Sequence, residues 1–203
     1  KRGTVGLDLG TGTGILGILL CGKTDLSKIY GIEVQQEVAE MAQRSVKLNN
    51  LENRFEIINK NIKDLESVFD KNSFDFIITN PPYKKMDTGK TNENSKKLIS
   101  RHEITATLKD FIKISYIMLK DKGTLYMVHK PERLVDIIYQ LRKNKIEPKE
   151  IRFVHPYEKK EPNLILIKAV KNGGQFLKID KPLYVYNERG EYTEEILKIY
   201  NKM

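Results

Sequence analysis

Short apolar runs alternate with stretches of helical character along most of the chain. The runs are rich in Val, Ile and Phe and end at glycine or polar residues, which predicts β-strands at residues 5–9, 28–32, 55–58, 74–79 and 123–128. Residues 15–20 form a continuous apolar run, and residues 35–50 carry apolar side chains at helical spacing. This alternation predicts an α/β fold with a doubly wound sheet and right-handed crossovers.

The pattern changes towards the C-terminus. Residues 151–156 and 164–167 predict an antiparallel strand pair at one edge of the sheet, because a short charged turn joins them. Residues 176–179 and 183–186 predict a small hairpin, and Thr193 is predicted to cap a final helix over residues 194–202. We therefore expect a domain over residues 1–170 and a C-terminal extension over residues 171–203 that packs on it. Because the first strand begins almost at once and residue 1 is not Met, we also expect a further segment ahead of it.

The predicted strand at residues 74–79 stops abruptly at Asn80-Pro81-Pro82-Tyr83. Each proline fixes its own φ angle and keeps the preceding residue out of the helical region, so Asn80 and Pro81 are both held extended. The Asn80 side-chain oxygen and the Pro81 carbonyl can each accept one hydrogen of an amino group, and the Tyr83 ring offers a stacking surface. The alternative is a strand end with a plain proline stop. The pattern favours a site for a flat ligand that carries an amino group.

This motif resembles the catalytic motif of S-adenosylmethionine-dependent methyltransferases that act on planar nitrogens, namely adenine N6, guanine N2 and the glutamine side-chain amide. The resemblance implies that Asn80, Pro81, Pro82 and Tyr83 are the catalytic residues and that Asn80 also borders the cofactor. It further implies a Rossmann-like class I methyltransferase sheet, with strand order 3-2-1-4-5-7-6 and an antiparallel last strand.

Residues 10–14 read Gly-Thr-Gly-Thr-Gly and lie between the first predicted strand and the first apolar helical run. Strand, glycine turn and helix form an arrangement that cradles nucleotides, because backbone N–H groups and a helix N-terminus face the ligand. Glu33 ends the second predicted strand, where a carboxylate can hold both ribose hydroxyls of an adenosine. The predicted cofactor contacts here are Gly10, Thr11, Gly12, Gly14 and Glu33.

Residues 12–17 also satisfy the dinucleotide pattern G-x-G-x-x-G, which makes NAD an alternative cofactor. Two features count against NAD. The match begins after the turn has already opened at Gly10, and the carboxylate of Asp8 just ahead of the turn would repel a pyrophosphate. The same carboxylate suits the cationic amino group of a methionine moiety. We therefore expect S-adenosyl-L-methionine as the cofactor, with Asp8 among its contacts.

Asn61 and Ile62 follow the third predicted strand. The related methyltransferases carry an Asp or a similar polar residue at this place, against the adenine amino group. The resemblance therefore implies that Asn61 and Ile62 contact the adenine of the cofactor. A loop-forming role is the alternative for Asn61, because asparagine favours turns.

Residues 84–101 are polar, lack periodicity and contain many lysines, which predicts a basic loop beside the catalytic motif. Such a loop suits contacts to nucleic-acid phosphates, and a solvated loop in a Lys-rich protein is the alternative. Ser100 and Glu103 form a capping-box pattern, which predicts a helix from residue 100 to residue 118. The candidate substrate contacts are Lys84, Lys85, Lys96, Lys97, Arg101 and His102.

The composition agrees with a globular enzyme that has a polyanionic partner. The chain has 203 residues, 39% of them hydrophobic, with a formal charge of +9 and a pI of about 9.4. The single cysteine, Cys21, excludes an intramolecular disulfide framework, and three scattered histidines form no visible zinc site. Neither a membrane-spanning run nor a signal peptide is visible. We expect a cytoplasmic monomer that binds no metal and no membrane.

Further motifs narrow the resemblance. They are Arg101-His102-Glu103, His129-Lys130-Pro131-Glu132-Arg133, Phe153-Val154-His155-Pro156 and Gly190-Glu191-Tyr192-Thr193. Together with the glycine turn and the Asn-Pro-Pro-Tyr motif, they resemble the bacterial valine-tRNA adenine-N6 methyltransferase family over nearly the whole chain. The resemblance implies methyl transfer to the exocyclic N6 of the tRNA adenine beside the anticodon, with the anticodon stem-loop as the partner.

Three alternatives stay open at this point. The same motif serves methylation of a glutamine side chain on a translation factor, and it serves methylation of other RNA or DNA bases. The basic loop favours a nucleic acid over the glutamine substrate. An RNA-binding protein without turnover is the third alternative, and the constrained turn at Asn80 and Pro81 argues against it.

Overall fold

A computed structural model of the chain describes residues 3–83 and 106–200. The strands are β1 (Val5–Leu9), β2 (Lys28–Glu33), β3 (Phe55–Asn59), β4 (Phe74–Thr79), β5 (Leu119–His129), β6 (Ile146–His155), β7 (Leu164–Lys171), β8 (Lys178–Ile179) and β9 (Leu183–Tyr184). The α-helices are α1 (Ile15–Lys23), α2 (Gln36–Leu48), α3 (Leu108–Met118), α4 (Leu134–Lys143) and α5 (Glu194–Ile199). Two 3-10 helices, Ile62–Ser67 and Pro131–Arg133, precede β4 and α4.

The strands form one mixed sheet in the order β3-β2-β1-β4-β5-β7-β6-β8, with β9 also paired to β6. The pairs within β3-β2-β1-β4-β5 are parallel, whereas β7 runs antiparallel to both β5 and β6. The predicted order 3-2-1-4-5-7-6 and the antiparallel last strand are therefore confirmed. Helices pack on both faces of this sheet, as predicted for a doubly wound fold.

The register of the parallel strands brings their carboxyl ends to one edge of the sheet. Leu9 of β1 lies opposite Ile32 of β2 and opposite Thr79 of β4, and Thr79 in turn lies opposite Met127 of β5. The loops that follow these strands therefore open onto one crevice, which is where doubly wound sheets bind their ligands.

The main core lies between the sheet and the helices α3 and α4. Side chains from both layers lose all solvent exposure there, including Leu7, Leu9, Ile77, Ile112 and Met118. A second cluster under α1 and α2 is built around Phe55. Gly17 of α1 packs directly on this ring, because a Cβ at that position would fall 2.3 Å from a Phe55 ring atom.

The helix that ends at Met118 begins at Leu108 and not at residue 100, which corrects the predicted start. A capping box fixes the start, because the Thr107 hydroxyl accepts a hydrogen bond from the Asp110 N–H and the Asp110 carboxylate accepts one from the Thr107 N–H. Ser100 and Glu103, on which the prediction rested, lie outside the described residues.

The predicted C-terminal hairpin is wrong, because β8 and β9 do not pair with each other. Both run parallel to β6, with Ile179 opposite Ile151 and Leu183 opposite Val154. They form one edge strand that is interrupted around Pro182, which has no N–H to donate to the ladder. The final helix starts as predicted, with the Thr193 hydroxyl accepting a hydrogen bond from the Ile196 N–H.

The C-terminal segment contacts the sheet through a small apolar cluster of Val154, Leu183 and Ile196. The division of the chain into residues 1–170 and 171–203 stays a prediction. Within residues 3–83 and 106–200, every helix is too short or too polar to span a lipid bilayer.

Candidate active site

The glycine turn after β1 is held in place by the end of β2. The N–H groups of Gly10 and Thr11 both donate to the carbonyl of Ile32, at 3.0 and 2.9 Å. Gly10, Gly12 and Gly14 have φ angles of 73°, 57° and 85°, in the left-handed region that glycine adopts without strain. Helix α1 begins immediately afterwards, so its first N–H groups face the crevice at the carboxyl edge of the sheet.

Asp8 lies near the end of β1 and is 1% exposed. Its Oδ2 accepts a hydrogen bond from the Thr11 hydroxyl at 2.7 Å, whereas its Oδ1 has no hydrogen-bond partner among the described residues. Burial raises the pKa of this carboxyl from an ordinary 3.8 to about 7; the Thr11 hydrogen bond opposes the rise, and the nearby Glu33 charge adds to it. A buried carboxyl with one unused oxygen fits a cationic partner.

Glu33 ends β2 and is 7% exposed. Its Oε2 accepts a hydrogen bond from the Gly12 N–H at 3.1 Å, and its Oε1 accepts one from the Gln35 N–H at 2.9 Å. The two bonds fix the orientation of the carboxylate beside the glycine turn. Each oxygen keeps a further lone pair that can accept a hydrogen bond from a ligand hydroxyl.

Asn61 takes part in a local cap. Its Oδ1 accepts a hydrogen bond from the Lys63 N–H at 3.0 Å, at the start of the 3-10 helix Ile62–Ser67. This is the loop-forming role that the sequence left open as an alternative. Ile62 is 5% exposed and belongs to the main core. The contacts predicted between these two residues and adenine stay predictions.

S-adenosylmethionine fits the groups that these elements present. The unpartnered buried oxygen of Asp8 suits an ammonium, and the Glu33 carboxylate suits the two hydroxyls of a ribose. Between them lies a turn whose glycines add no side chain. A pyrophosphate in the same place would face both carboxylates, so the charge of the site is unsuited to a dinucleotide.

The Asn-Pro-Pro-Tyr turn leaves β4 beside the glycine turn. The Thr79 hydroxyl, at the end of β4, donates a hydrogen bond to the carbonyl of Leu9 at 2.9 Å, which ties the two strand ends together. Asn80 is exposed and Pro81 is buried, so the Asn80 side chain is accessible to a ligand and follows directly on the end of β4. The predicted residues thus all lie at or next to strand ends at one edge of the sheet; they are Asp8, Gly10, Glu33 and Asn80.

Tyr83 is half-buried and packs against residues at the end of β5. Its ring centroid lies 5.2 Å from that of His129 with the planes at 63°, and Lys130 Nζ lies over the ring, 5.6 Å from its centroid. Sequence reasoning assigned no role to His129. In the sequence, the signal that could have identified it is a polar ring directly after an apolar strand. In the structure, this ring is buried beside the crevice.

Six predicted substrate contacts cannot be compared with this geometry. Lys84, Lys85, Lys96, Lys97, Arg101 and His102 lie outside the described residues. Their assignment therefore stays a prediction from the sequence.

The sheet order, the glycine turn with Asp8 and Glu33, and the Asn-Pro-Pro-Tyr turn define a Rossmann-like methyltransferase domain. The methyltransferase small domain family matches residues 1–141, more than half of the 203-residue chain. The chain belongs to this family.

Relatives and solved structures agree with this assignment. The tRNA1(Val) (adenine(37)-N6)-methyltransferase of Porphyromonas gingivalis is 28% identical over 162 residues, which cover 79% of this chain and 63% of that protein. The enzyme of the same name from Parabacteroides distasonis is 26% identical over 198 residues, covering 95% of this chain and 79% of that protein. The chain therefore spans less than two thirds of the first of these relatives. A predicted O-methyltransferase from Agrobacterium tumefaciens has the same fold, with a TM-score of 0.80 at 21% identity, covering 99% of this chain and 90% of the other.

Proposed function

We propose that this protein is an S-adenosylmethionine-dependent methyltransferase that methylates the exocyclic N6 of an adenine in tRNA, the adenine beside the anticodon. The observation that carries the proposal is the Asn80-Pro81-Pro82-Tyr83 turn at the carboxyl end of β4, tied by Thr79 to the strand that holds Asp8. The names of the two relatives support the same substrate. The proposal includes the anticodon stem-loop as the bound part of the tRNA and a monomer acting in the cytoplasm.

The amino group of adenine is a poor nucleophile, because its lone pair is delocalised into the ring. In the proposed mechanism, Oδ1 of Asn80 and the carbonyl of Pro81 accept the two N6 hydrogens. Both acceptors then favour the tetrahedral nitrogen that forms as the methyl group arrives, which is a differential stabilisation of the transition state. The two prolines keep these acceptors fixed, so little reorganisation is needed.

When bound, S-adenosylmethionine supplies a methyl group on a positively charged sulfur. Asp8 and Glu33 hold the cofactor by its ammonium and its ribose hydroxyls, with Asn61 and Ile62 beside the adenine, and orient it towards Asn80. Bound there, the cofactor would supply its methyl group to N6 and would keep the electron pair of its sulfur–carbon bond. The methylated N6 then loses one proton to water, so no side chain has to act as a base before transfer.

Tyr83 serves in this proposal as the surface on which the target base stacks. Taking a base out of a stack costs a few kcal/mol, and less in an anticodon loop, whose bases are already splayed. The proposed contacts of Lys84, Lys85, Lys96, Lys97, Arg101 and His102 to tRNA add charge beside this surface. Phosphate contacts of this kind make the affinity depend on salt concentration.

The test is transfer of a labelled methyl group from S-adenosylmethionine by the full-length protein. The acceptors are unmodified total tRNA, ribosomal RNA, duplex DNA and a release factor. Asn80→Ala should abolish most of the turnover while cofactor affinity stays nearly unchanged, because the amide acts on the acceptor nitrogen. Asn53→Ala is the matched control, since Asn53 is exposed at the opposite edge of the sheet, ahead of β3.

The proposal predicts label in tRNA, recovered as N6-methyladenosine. Label in the release factor would replace it with glutamine methylation. Label in ribosomal RNA or DNA would keep the chemistry and change the substrate. Normal turnover of Asn80→Ala would overturn the proposed mechanism even if tRNA is the acceptor.

A further inference from the structure

His129 is held in one orientation at the end of β5. It has no solvent exposure, and its Nδ1 accepts a hydrogen bond from the backbone N–H of Lys130 at 2.7 Å. An Nδ1 that accepts a hydrogen bond carries no proton, so the neutral ring has its proton on Nε2. Burial lowers the pKa of His129, and the charge of Arg133 lowers it further, which keeps the ring in this neutral form.

The Nε2–H group is a buried donor without a hydrogen-bond partner among residues 3–83 and 106–200. Such groups are costly, and native proteins rarely leave them unused. The neighbouring aromatic ring is that of Tyr83, whose centroid lies 5.2 Å away in an edge-to-face arrangement. An N–H edge directed at an aromatic face is a weak but favourable contact that fixes the relative orientation of two rings.

Tyr83 needs such support if its ring is to serve as a stacking surface. The residue is half-buried at the end of the Asn-Pro-Pro-Tyr turn, and the two prolines ahead of it leave its own side-chain torsions free. Lys130 Nζ lies over the ring, 5.6 Å from its centroid, and also donates to the carbonyl of Asn163 at 3.3 Å. The last residue of β5 and the residue after it, His129 and Lys130, therefore both lie against the Tyr83 ring.

We propose that His129 is a positioning residue for Tyr83. Its Nε2–H edge rests on the face of the tyrosine ring and holds that ring where the target base stacks. His129 does not touch substrate or cofactor in this proposal; it acts through Tyr83. The expected effect of His129 on kcat rests on the proposed function. The contact between His129 and the ring at position 83 can be tested without any turnover.

Residues 1–203 contain no Trp, so an indole introduced by Tyr83→Trp reports on this position alone once any tryptophan outside these residues is replaced by Phe. The measurement is time-resolved fluorescence anisotropy of that indole in the full-length protein, with His129 intact, with His129→Gln and with His129→Leu. We expect restricted motion with His129 and with the Gln variant, whose amide N–H reaches the position of Nε2. The Leu variant should show a larger fast-decaying amplitude. Equal restriction in all three proteins would overturn the proposal.

Kinetics of the same His129 variants, made with Tyr83 in place, give a second readout. His129→Leu should lower kcat about tenfold with the cofactor Kd unchanged, because a displaced platform misaligns the acceptor nitrogen. His129→Gln should stay within about threefold of the original kcat, since it restores the donor. A merely structural role would lower the melting temperature of both variants and leave kcat of the folded fraction unchanged, which would overturn the proposal.

His155 supplies the matched control. It ends β6, its ring centroid lies 5.4 Å from that of Tyr184, and its Nδ1 lies 2.7 Å from the carbonyl oxygen of Lys160. His155→Leu should change neither the motion of the indole at position 83 nor kcat. If the original protein methylates none of the acceptors, the proposed function fails while the anisotropy still tests the contact. If turnover occurs and His129→Leu alters neither readout, this inference fails alone.

Discussion

The hydroxyl of Thr11 donates a hydrogen bond to Oδ2 of Asp8 at 2.7 Å, while Oδ1 of the same carboxyl has no hydrogen-bond partner in the described chain. Glu33 differs, because both of its oxygens accept backbone N–H groups. Asp8 and Glu33 therefore differ in how many of their carboxyl oxygens are already hydrogen-bonded within the described chain. Glu33 is held in one orientation by two backbone donors, whereas Asp8 is a buried carboxyl whose ionisation depends on what binds next to it.

Cofactor binding should release a proton below pH 7. Burial raises the pKa of Asp8 to about 7 in the free protein, and an ammonium placed beside it favours the charged carboxylate. Affinity for S-adenosylmethionine should therefore rise as the pH increases from about 5 to about 7 and then level off. Calorimetry in buffers of different ionisation enthalpy measures the proton release directly. Asp8→Asn should abolish this release and weaken binding, and unchanged release would show that another group is responsible.

The same substitution should stabilise the protein without cofactor. Because the folded pKa of Asp8 is raised above its ordinary value, stability is lost as the pH rises from about 4 to about 7, while the unfolded chain ionises and the folded chain does not. Asp8→Asn removes this loss and should increase the free energy of unfolding at pH 8 by on the order of 4 kcal/mol. Urea titrations at pH 4 and pH 8 check it, and a gain of equal size at both pH values would contradict the explanation.

The strands of the sheet could be predicted from local sequence patterns, whereas their order, 3-2-1-4-5-7-6, was implied by the resemblance to class I methyltransferases. β1, β2 and β4 each read as an apolar run that stops at a glycine, an acidic residue or a proline turn, and right-handed crossovers then allow few arrangements. The edge strand could not be predicted in this way. β8 and β9 are short, and they pair with β6, whose Arg152 also donates to the carbonyls of Lys181 and Pro182 between them, far away in the chain.

In the candidate site, too, some residues could be predicted from the sequence and others could not. Asp8, Glu33 and Asn80 could be singled out because each lies at or just beyond the end of a recognisable strand and carries a polar group that can bind a ligand. The contact between Tyr83 and His129 could not, because it joins a turn after β4 to the end of β5 through ring packing and leaves no periodicity in the sequence. The local cap made by Asn61 was open as an alternative, and the geometry alone reveals the bond to the Lys63 N–H.

Glu33→Gln should weaken cofactor binding about tenfold or more, with little loss of fold. The amide keeps one acceptor oxygen, so either the Gly12 N–H or the Gln35 N–H loses its partner, and the charge that suits two ribose hydroxyls is removed. Calorimetric titration with S-adenosylmethionine measures the change. Glu37→Gln is the matched control, because Glu37 is exposed in the first turn of α2. An equal effect of both substitutions would point to general electrostatics instead of a specific contact.

Two glycines of α1 should respond to alanine in opposite ways. Gly17→Ala places a Cβ 2.3 Å from the Phe55 ring and should destabilise the protein by about 3 kcal/mol, because the core has to move. Gly22→Ala meets no atom within 4 Å and should stabilise it by about 0.5–1 kcal/mol through helix propensity. Thermal unfolding of both variants distinguishes the two cases. A stable Gly17→Ala protein would mean that α1 does not approach β3 as closely as described.

Arg152→Met should loosen the C-terminal segment without affecting the rest of the sheet. The Arg152 guanidinium donates to the carbonyls of Lys181 and Pro182, at 2.9 and 3.3 Å, and pairs with the Glu195 carboxylate at 2.7 Å. Loss of these charged hydrogen bonds should cost about 1.4 kcal/mol and speed amide hydrogen exchange across residues 183–199 about tenfold. Arg142→Met is the matched control, since Arg142 is 58% exposed and pairs with Glu147 at 3.3 Å on another surface. If exchange accelerates equally in β1 and β4, Arg152 stabilises the whole domain. If exchange at residues 183–199 is unchanged, the apolar packing of Leu183 and Ile196 on Val154 is enough to hold the segment.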